Sequence, residues 1–174
     1  MAACLYDEDG GYYSDPGRSR VGRGGDFVTN VSVGEVFGRL LAHRLHLLWT
    51  ANGRPPELQI LELGPEDGSL ALDILGEALR IDSSFHASLR YLACEHGTRK
   101  RDALRERFAP AGEPRLKVIG APQECRGEFG AVLANEVLDA LPVRLLLFAE
   151  DRWLERRVTT DGGSFAWSDG PITD

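Results

Sequence analysis

Three short segments of the chain combine acidic, amide or glycine residues in an arrangement that suits the binding of a small ligand. The first is a glycine-containing turn, GPEDG, at residues 64–68. The second is a single acid, Glu95, directly after the apolar run LRYLAC. The third is Asn135-Glu136, with Asp139 three residues further on. A carboxylate such as Glu95 can accept two O–H hydrogen bonds, which is what the hydroxyls of a ribose require. Together the three segments predict a site for an adenosine-containing cofactor.

Each of these segments follows, or lies between, stretches that are typical of an α/β fold. Short apolar runs alternate with segments whose apolar residues recur at helical spacing. The predicted strands are Leu58–Leu63, Leu89–Cys94, Leu116–Ile119 and Ala131–Ala134, and the predicted helices between them are Ser69–Arg80 and Thr98–Phe108. The alternation predicts right-handed crossovers and a Rossmann-like parallel sheet with helices on both faces. Because ligands of open parallel sheets bind at the carboxyl ends of the strands, the three segments are expected to meet at one edge.

Two regions flank this predicted α/β core, which we place at residues 32–140 of a single domain. Residues 1–31 are rich in Gly, Asp, Arg and Tyr without periodicity, which predicts an irregular amino-terminal arm. Ser32 and Glu35 form an S-x-x-E capping box, which predicts the start of a helix. Residues 141–174 contain short apolar runs separated by EDR and TTDGG, which predict an appended antiparallel β-meander.

Each of the three segments also has an ordinary structural explanation. Gly64 and Gly68 could simply form a tight turn that lets a helix pack closely. Glu95 could be a solvated acid at the end of a strand. Asn135 could cap a helix, with Glu136 as a first-turn acid that the helix dipole favours. The agreement of three separate segments, rather than any one of them, favours a ligand site.

The composition excludes several classes of protein. The 174-residue chain has 20 Lys+Arg against 27 Asp+Glu, a formal net charge of −7, so we predict no nucleic-acid partner. No apolar run approaches the ~20 residues of a membrane-spanning helix. Cys4, Cys94 and Cys125 are scattered, which favours a reducing compartment over a disulfide framework. His43 and His46 lie three residues apart, but no further ligand is spaced to join them, so no metal site is predicted.

A set of more specific motifs runs in order through nearly the whole chain. They are MAACLYDEDGGYYS at residues 1–14, GDFVTN at 25–30, EVFGRLL at 35–41, LELGPEDGSLALDIL at 61–75, NEVLDALPVRLL at 135–146 and RWLERRV at 152–158. In these segments the chain resembles the MidA-like family of class I S-adenosylmethionine-dependent methyltransferases, which includes the mitochondrial complex I assembly arginine methyltransferase. The GDF and NEVLDALP segments are far more specific than a glycine turn. We therefore identify the chain, from its sequence, as a member of this family.

The resemblance implies a function and a set of site residues. The expected cofactor is S-adenosyl-L-methionine, and the expected substrate is a protein arginine side chain. The residues that would hold the cofactor are Gly25, Asp26, Phe27 and Thr29 in the amino-terminal arm, Glu62, Gly64 and Gly68 on the methionine side, and Glu95 at the ribose. The residues that would face the methyl acceptor are Asn135, Glu136 and Asp139. A bacterial member would be cytoplasmic and a eukaryotic member would lie in the mitochondrial matrix, although the sequence contains no transit peptide.

The sequence departs from the family pattern in two ways. The turn carries Glu66 where the family usually has a glycine, so we expect weaker cofactor binding. The family's members are considerably longer, so the chain looks like an incomplete fragment. With the strand order of the family's sheet, 3-2-1-4, strand four would be an exposed edge unless the meander, a second copy or a partner protein covers it. Both departures favour an alternative function, a non-catalytic relative that serves as a binding or assembly module. A nicotinamide-dependent oxidoreductase is a third alternative, but it gives no role to the GDF and NEVLDALP segments.

Overall fold

The structure is a computed structural model that describes residues 1–7, 9–14, 26, 34–126 and 130–173. Within these residues the chain forms a four-stranded parallel sheet and a three-stranded antiparallel sheet. The parallel strands are β1 (Leu58–Leu63), β2 (Leu89–Cys94), β3 (Leu116–Ile119) and β4 (Ala131–Leu133). Their order, β3-β2-β1-β4, confirms the predicted α/β fold and strand order.

The register of the parallel sheet aligns the carboxyl ends of its strands. Leu63 pairs with Cys94, which in turn pairs with Ile119. On the other side of β1, Glu62 pairs with Leu133. Because the strands run in the same direction, the residues that follow them leave the sheet at a single edge. Among the described residues β4 pairs only with β1, which confirms the predicted open edge of strand four.

The helices are α1 (Ala2–Tyr6), α2 (Val36–Ala51), α3 (Ser69–Ile81), α4 (Ser83–Ser88) and α5 (Thr98–Phe108). The bounds predicted for α3 and α5 are confirmed to within one residue. Two of these helices were not predicted from the sequence: α1, which lies in the arm expected to be irregular, and α4. The signal for α4 is Asp82, whose side chain accepts hydrogen bonds from the N–H groups of Ser84 and Phe85, at 2.7 and 3.2 Å. This is an ordinary aspartate N-cap.

The predicted capping box does not begin α2. The helix begins at Val36, and Glu35 is its N-cap rather than its third residue. The Glu35 side chain instead pairs with Arg39 one turn further on, with Oε2 and Nη2 2.7 Å apart. Ser32, the other member of the predicted box, lies outside the described residues.

Most of the buried side chains lie on one face of the parallel sheet. Residues of α2, α3 and α5 form a single cluster there with alternate residues of the strands, among them Ile60 and Tyr91. The opposite face carries a smaller buried cluster of Leu61, Cys94 and Ile119. The prediction that helices cover both faces is therefore wrong for the described residues. The crossovers from β1 to β2 and from β2 to β3 run the same way along the sheet, so right-handed connections place α3 and α5 on the same face.

The antiparallel sheet confirms the predicted β-meander. Its strands are β5 (Leu145–Ala149), β6 (Arg152–Asp161) and β7 (Ser164–Gly170), in the order β5-β6-β7. Both turns are two-residue hairpin turns with positive φ at each central residue. These residues are Glu150 and Asp151, with φ of 51° and 59°, and Gly162 and Gly163, with φ of 55° and 87°. Two consecutive left-handed residues match the right-handed twist of the flanking strands.

Candidate functional site

The segments that follow β1, β2 and β4 lie next to one another at the carboxyl edge of the parallel sheet. The Gly64 N–H donates a hydrogen bond to the carbonyl oxygen of Cys94, at 3.1 Å, so the glycine turn begins beside Glu95. A Cβ placed on Gly64 would come within 2.9 Å of Val137 Cγ2, in the segment after β4. The structure therefore brings together Gly64, Glu95 and the Asn135–Val137 segment, as the sequence predicts.

The glycine turn leads directly into α3. Gly64, Glu66 and Gly68 all have positive φ, of 61°, 47° and 77°, and the Gly68 N–H donates to the Pro65 carbonyl at 2.7 Å. A Cβ on Gly68 would lie only 2.4 Å from the ring of Phe108 on α5. The close packing of the turn thus requires glycine at both ends, independently of any ligand. Glu66 adopts the left-handed conformation without being glycine, at a cost on the order of 1 kcal/mol.

Two acids of the turn are paired with cations of α5. Lys100 Nζ lies 2.9 Å from Glu66 Oε2, and Arg107 Nη2 lies 3.6 Å from Asp67 Oδ2. Asp67 also accepts hydrogen bonds from the N–H and hydroxyl of Ser69, at 3.0 and 2.7 Å. Lys100 is half-buried and Arg107 is exposed, so both pairs lie at the surface between α5 and the turn.

Glu62 is a buried acid at the carboxyl end of β1. Its side chain is 3% exposed and accepts a hydrogen bond from the hydroxyl of Tyr91, with the two oxygens 2.9 Å apart. Burial raises the pKa of Glu62 to about 7; the Tyr91 hydroxyl acts against this shift, and the charge of Asp67 adds to it. Near neutral pH this carboxyl therefore exists in both protonation states.

Glu95 follows β2 and is half-buried. Its Oε1 accepts a hydrogen bond from the Gly97 N–H at 2.8 Å, and its backbone carbonyl accepts one from the Arg101 guanidinium at 3.1 Å. Within the part of the chain that the structure describes, Oε2 accepts no hydrogen bond. The side chain is thus oriented by the backbone while one oxygen remains available to a ligand hydroxyl.

The Asn135–Asp139 segment connects β4 to a 3-10 helix at Leu138–Ala140. Val137 is the N-cap of that helix, and no side chain caps it. The ordinary explanation for Asn135 and Glu136, a helix cap followed by a first-turn acid, is therefore wrong. Asn135 is half-buried, whereas Glu136 and Asp139 are exposed. Glu136 has a positive φ of 51°.

The amino-terminal segment also reaches this edge of the sheet. The Tyr6 hydroxyl donates a hydrogen bond to the carbonyl oxygen of Ala140 at 2.8 Å. Burial, followed by the charges of Tyr13 and Glu95, raises the pKa of Tyr6. The Tyr12 hydroxyl donates to Asp26 Oδ2 at 2.6 Å.

Of the four site residues predicted in the amino-terminal arm, only Asp26 is described, and its side chain is exposed. Gly25, Phe27 and Thr29 lie outside the described residues. Tyr6 and Tyr91 were not predicted from the sequence to be site residues. Tyr6 could have been found from its place in the first motif, MAACLYDEDGGYYS. Tyr91 carries no such signal, because it lies inside an apolar strand.

The histidine pair on α2 contacts acids rather than a shared centre. His43 Nε2 lies 3.2 Å from Glu77 Oε1, and His46 Nε2 lies 3.7 Å from Asp82 Oδ2. Across residues 1–7, 9–14, 26, 34–126 and 130–173, no group of three or more His, Cys, Asp or Glu is arranged to hold a metal ion. Nor is any helix in those ranges long and apolar enough to cross a membrane.

The fold and the edge residues together define a class of protein. A parallel sheet in the order 3-2-1-4, with a glycine turn after its first strand and an acid after its second, is typical of Rossmann-like proteins that bind a nucleoside-containing cofactor. A family model described as "Putative S-adenosyl-L-methionine-dependent methyltransferase" matches residues 40–174. The match covers most of the chain, and the chain therefore belongs to this family.

Solved structures from Burkholderia thailandensis share the fold. One is a COG1565 superfamily member bound to S-adenosyl-homocysteine; it is 32% identical, with a TM-score of 0.73, and the match covers 100% of this chain and 45% of that one. Another is an uncharacterized COG1565 superfamily protein that is 30% identical, with a TM-score of 0.71 over 99% of this chain and 42% of that one. Both comparisons support the sheet order and the appended meander described above.

Curated relatives include proteins named mitochondrial arginine methyltransferases. The Drosophila melanogaster relative, named "Protein arginine methyltransferase NDUFAF7 homolog, mitochondrial", is 30% identical over 176 residues, which are 89% of this chain and 39% of the relative. The Xenopus tropicalis NDUFAF7 protein is 30% identical over 183 residues, which are 94% of this chain and 42% of the relative. These relatives confirm the family predicted from the sequence. The chain spans about two fifths of the length of the curated relatives it matches.

Proposed function

We propose that this chain forms the cofactor-binding part of an S-adenosylmethionine-dependent methyltransferase that acts on a protein arginine side chain. The class of reaction is that of the family, and the arginine acceptor is taken from the names of relatives about 30% identical. One observation carries the proposal. The turn that begins at Gly64, the half-buried Glu95 and the Asn135–Val137 segment are neighbours at one edge of the sheet.

The side chains at this edge fit the chemical groups of S-adenosylmethionine. Glu62 provides a buried carboxylate that matches the methionine ammonium group, and the available oxygen of Glu95 matches a ribose hydroxyl. Gly64 and Gly68 keep the turn narrow, which allows the cofactor to approach the backbone of the turn closely. When bound, the cofactor supplies an electrophilic methyl group on its sulfonium. We propose that the arm residues Gly25, Asp26, Phe27 and Thr29 close over the cofactor.

The acceptor side of the proposed site contains Asn135, Glu136 and Asp139. A guanidinium has a pKa above 12 and no free lone pair when protonated. An acceptor arginine therefore has to be oriented and has to give up a proton, and a carboxylate can assist both steps. We assign these roles to Glu136, with Asn135 and Asp139 orienting the group. The strained backbone of the exposed Glu136 supports the assignment, because residues held in sparsely populated conformations cluster at functional sites.

The acceptor-side assignment is tested with Glu136→Gln. Methyl transfer from labelled S-adenosylmethionine into arginine-containing peptides should be nearly abolished, while the Kd for S-adenosylhomocysteine, measured by calorimetry, should change less than about twofold. Glu150→Gln is a matched control, because Glu150 is also an exposed acid with a φ of 51° but lies in the β5–β6 turn. Loss of cofactor binding in Glu136→Gln would contradict the assignment.

The cofactor itself is tested with the unaltered chain by thermal shift. S-adenosylmethionine and S-adenosylhomocysteine should raise the Tm in proportion to the logarithm of their concentration above Kd, and NAD should not. Stabilisation by NAD alone would favour the oxidoreductase alternative. Binding of S-adenosylhomocysteine with no transfer to any acceptor would favour the non-catalytic binding or assembly module.

The proposed partner is a protein that presents the acceptor arginine, in a reducing compartment. We also propose that another polypeptide covers the open edge of β4, where Val132 is exposed, because an unpaired strand edge invites pairing. Size-exclusion chromatography should then show a species larger than the 19.1 kDa monomer. A clean monomer would contradict this part of the proposal.

A further inference from the structure

The carboxyl edge of the parallel sheet concentrates negative charge. The glycine turn contains Glu66 and Asp67, and it lies between Glu62 and Glu95. S-adenosylmethionine and S-adenosylhomocysteine each carry a carboxylate on their methionine part, so an unbalanced set of acids would repel one end of the ligand. Balancing the charges of Glu66 and Asp67 would therefore favour binding of that carboxylate at this edge.

Helix α5 provides the balancing cations. Lys100 Nζ lies 2.9 Å from Glu66 Oε2, and Arg107 Nη2 lies 3.6 Å from Asp67 Oδ2 and 3.0 Å from Ser69 Oγ. Lys100 and Arg107 lie two helical turns apart, so α5 contacts the turn at two charged positions. The Phe108 ring, also on α5, packs against Gly68 so closely that no side chain fits there.

The pairing with Lys100 also fixes the location of the Glu66 side chain. Glu66 stands between Gly64 and Gly68 in a left-handed backbone conformation, with a φ of 47°. The Glu66 side chain is 43% exposed, and the Lys100 side chain is 29% exposed. Without Lys100, nothing else among the described residues pairs with this carboxylate, which would then be free to lie over the turn.

We propose that Lys100 is a positioning residue for the cofactor: it holds the Glu66 carboxylate at α5 and neutralises it, so that the turn accepts the carboxylate of the methionine part. In the same way, Arg107 holds the Asp67 carboxylate at α5 and neutralises it. The inference rests on the proposed cofactor site. The pairing with Lys100 also removes the reason to expect weaker cofactor binding from Glu66, because an acid held in this way does not obstruct the ligand. Half-exposed ion pairs contribute little to folding, so the role appears in ligand affinity rather than in stability.

The inference is tested with a double-mutant cycle of Lys100→Met and Glu66→Gln in the 174-residue chain, with S-adenosylhomocysteine as the probe in calorimetry. Lys100→Met should weaken binding about fivefold, and Glu66→Gln should change it less than about twofold. When Glu66→Gln is already present, Lys100→Met should have no further effect, since there is no charge left to neutralise. Lys100→Arg keeps the cation and should bind as the unaltered chain does.

Arg105→Met is the matched control. It removes one positive charge from the same helix, but Arg105 pairs with Asp102 inside α5, at 2.7 Å, and not with the turn. The affinity of Arg105→Met for S-adenosylhomocysteine should stay within about twofold of that of the unaltered chain. The Tm of every variant without ligand should change little, which separates a positioning role from a structural one.

The outcomes distinguish the inference from the function on which it rests. Suppose that the unaltered chain binds S-adenosylhomocysteine. If Lys100→Met then binds equally well, or if it weakens binding by the same factor with and without Glu66→Gln, the role of Lys100 is refuted and the cofactor site stands. Tighter binding by Lys100→Met would show that the ion pair obstructs the site, and this result would also refute the proposed role of Lys100. If neither the unaltered chain nor Glu66→Gln binds, the proposed cofactor site fails, and this inference fails with it.

Discussion

The two sheets each bury one acid among the described residues, and the two acids have opposite environments. Glu62 in the parallel sheet is 3% exposed, and Glu155 in the meander is 8% exposed. Glu62 receives a hydrogen bond from the neutral hydroxyl of Tyr91. Glu155 receives hydrogen bonds from the Arg157 guanidinium at 2.8 Å and from the N–H and hydroxyl of Thr173 at 3.2 and 2.9 Å.

The pKa values of the two acids are shifted in opposite directions. Burial raises the pKa of Glu62 to about 7. The hydrogen bonds from Arg157 and Thr173 lower the pKa of Glu155 to about 2. The protein thus completes the pairing of Glu155 by itself, whereas Glu62 has no cationic partner among the residues that the structure describes. A buried acid with a raised pKa at the mouth of a sheet is a marker of a functional site, and a fully paired one is structural.

The largest expected effect that tests this contrast is the pH dependence of stability. The folded-state pKa of Glu62 lies above the ordinary value of 4.5, so the native state binds more protons between pH 4.5 and 7. Its contribution to stability therefore falls as pH rises through that window, by on the order of 3 kcal/mol. For Glu155 the sign is reversed: its favourable contribution is present above pH 4.5 and is lost as pH falls towards 2.

The measurement is urea unfolding of the unaltered chain, Glu62→Gln and Glu155→Gln between pH 3 and pH 8. Glu62→Gln should remove most of the decline between pH 4.5 and 7, and Glu155→Gln should remove part of the loss at acid pH. Identical pH profiles for the unaltered chain and Glu62→Gln would show that Glu62 is ionised and paired like Glu155. That result would contradict the contrast between the two acids.

Much of the fold could be predicted from the sequence because its signals are local. Short apolar runs bounded by glycine and polar residues indicated β1, β2 and β3 at the bounds observed, and the DGG turn indicated the β6–β7 hairpin. The short helix α4 was missed because a six-residue helix shows little periodicity. The start of α2 was misplaced because a capping-box pattern can occur without the backbone using it.

The candidate site was predictable in its location but not in its electrostatics. The position of Glu95 directly after a strand follows from the alternation of elements. The Tyr91–Glu62 hydrogen bond joins residues 29 apart, and the Lys100–Glu66 pair joins residues 34 apart. Such contacts depend on how β2 and α5 pack beside β1. A helix with many cations gives no sign, in sequence alone, of which ones face an acid.

A smaller effect is expected on ligand affinity. Glu62→Gln keeps the size of the side chain and an oxygen that can accept from Tyr91, but it removes the charge proposed to meet the methionine ammonium. Hydrogen bonds to charged groups contribute about 1.5–3 kcal/mol, so the Kd for S-adenosylhomocysteine at pH 8 should rise at least about tenfold. Glu155→Gln is the control and should leave the Kd unchanged, because that acid is already paired within the meander. Equal effects of the two substitutions would erase the distinction between the acids.

The smallest expected effect sharpens the role of Tyr91. Its hydroxyl donates to the Glu62 carboxylate and so favours the ionised form, which means that Tyr91→Phe should raise the pKa of Glu62 further. The affinity for S-adenosylhomocysteine should increase with pH as Glu62 ionises, and Tyr91→Phe should move the midpoint of that increase upward by about half a pH unit. Tyr6→Phe removes another hydroxyl at the same edge, one that donates to the Ala140 carbonyl rather than to an acid, and should leave the midpoint in place. If both substitutions shifted the midpoint equally, the shift would reflect the loss of any hydroxyl at this edge. Tyr91 would then have no specific effect on the pKa of Glu62.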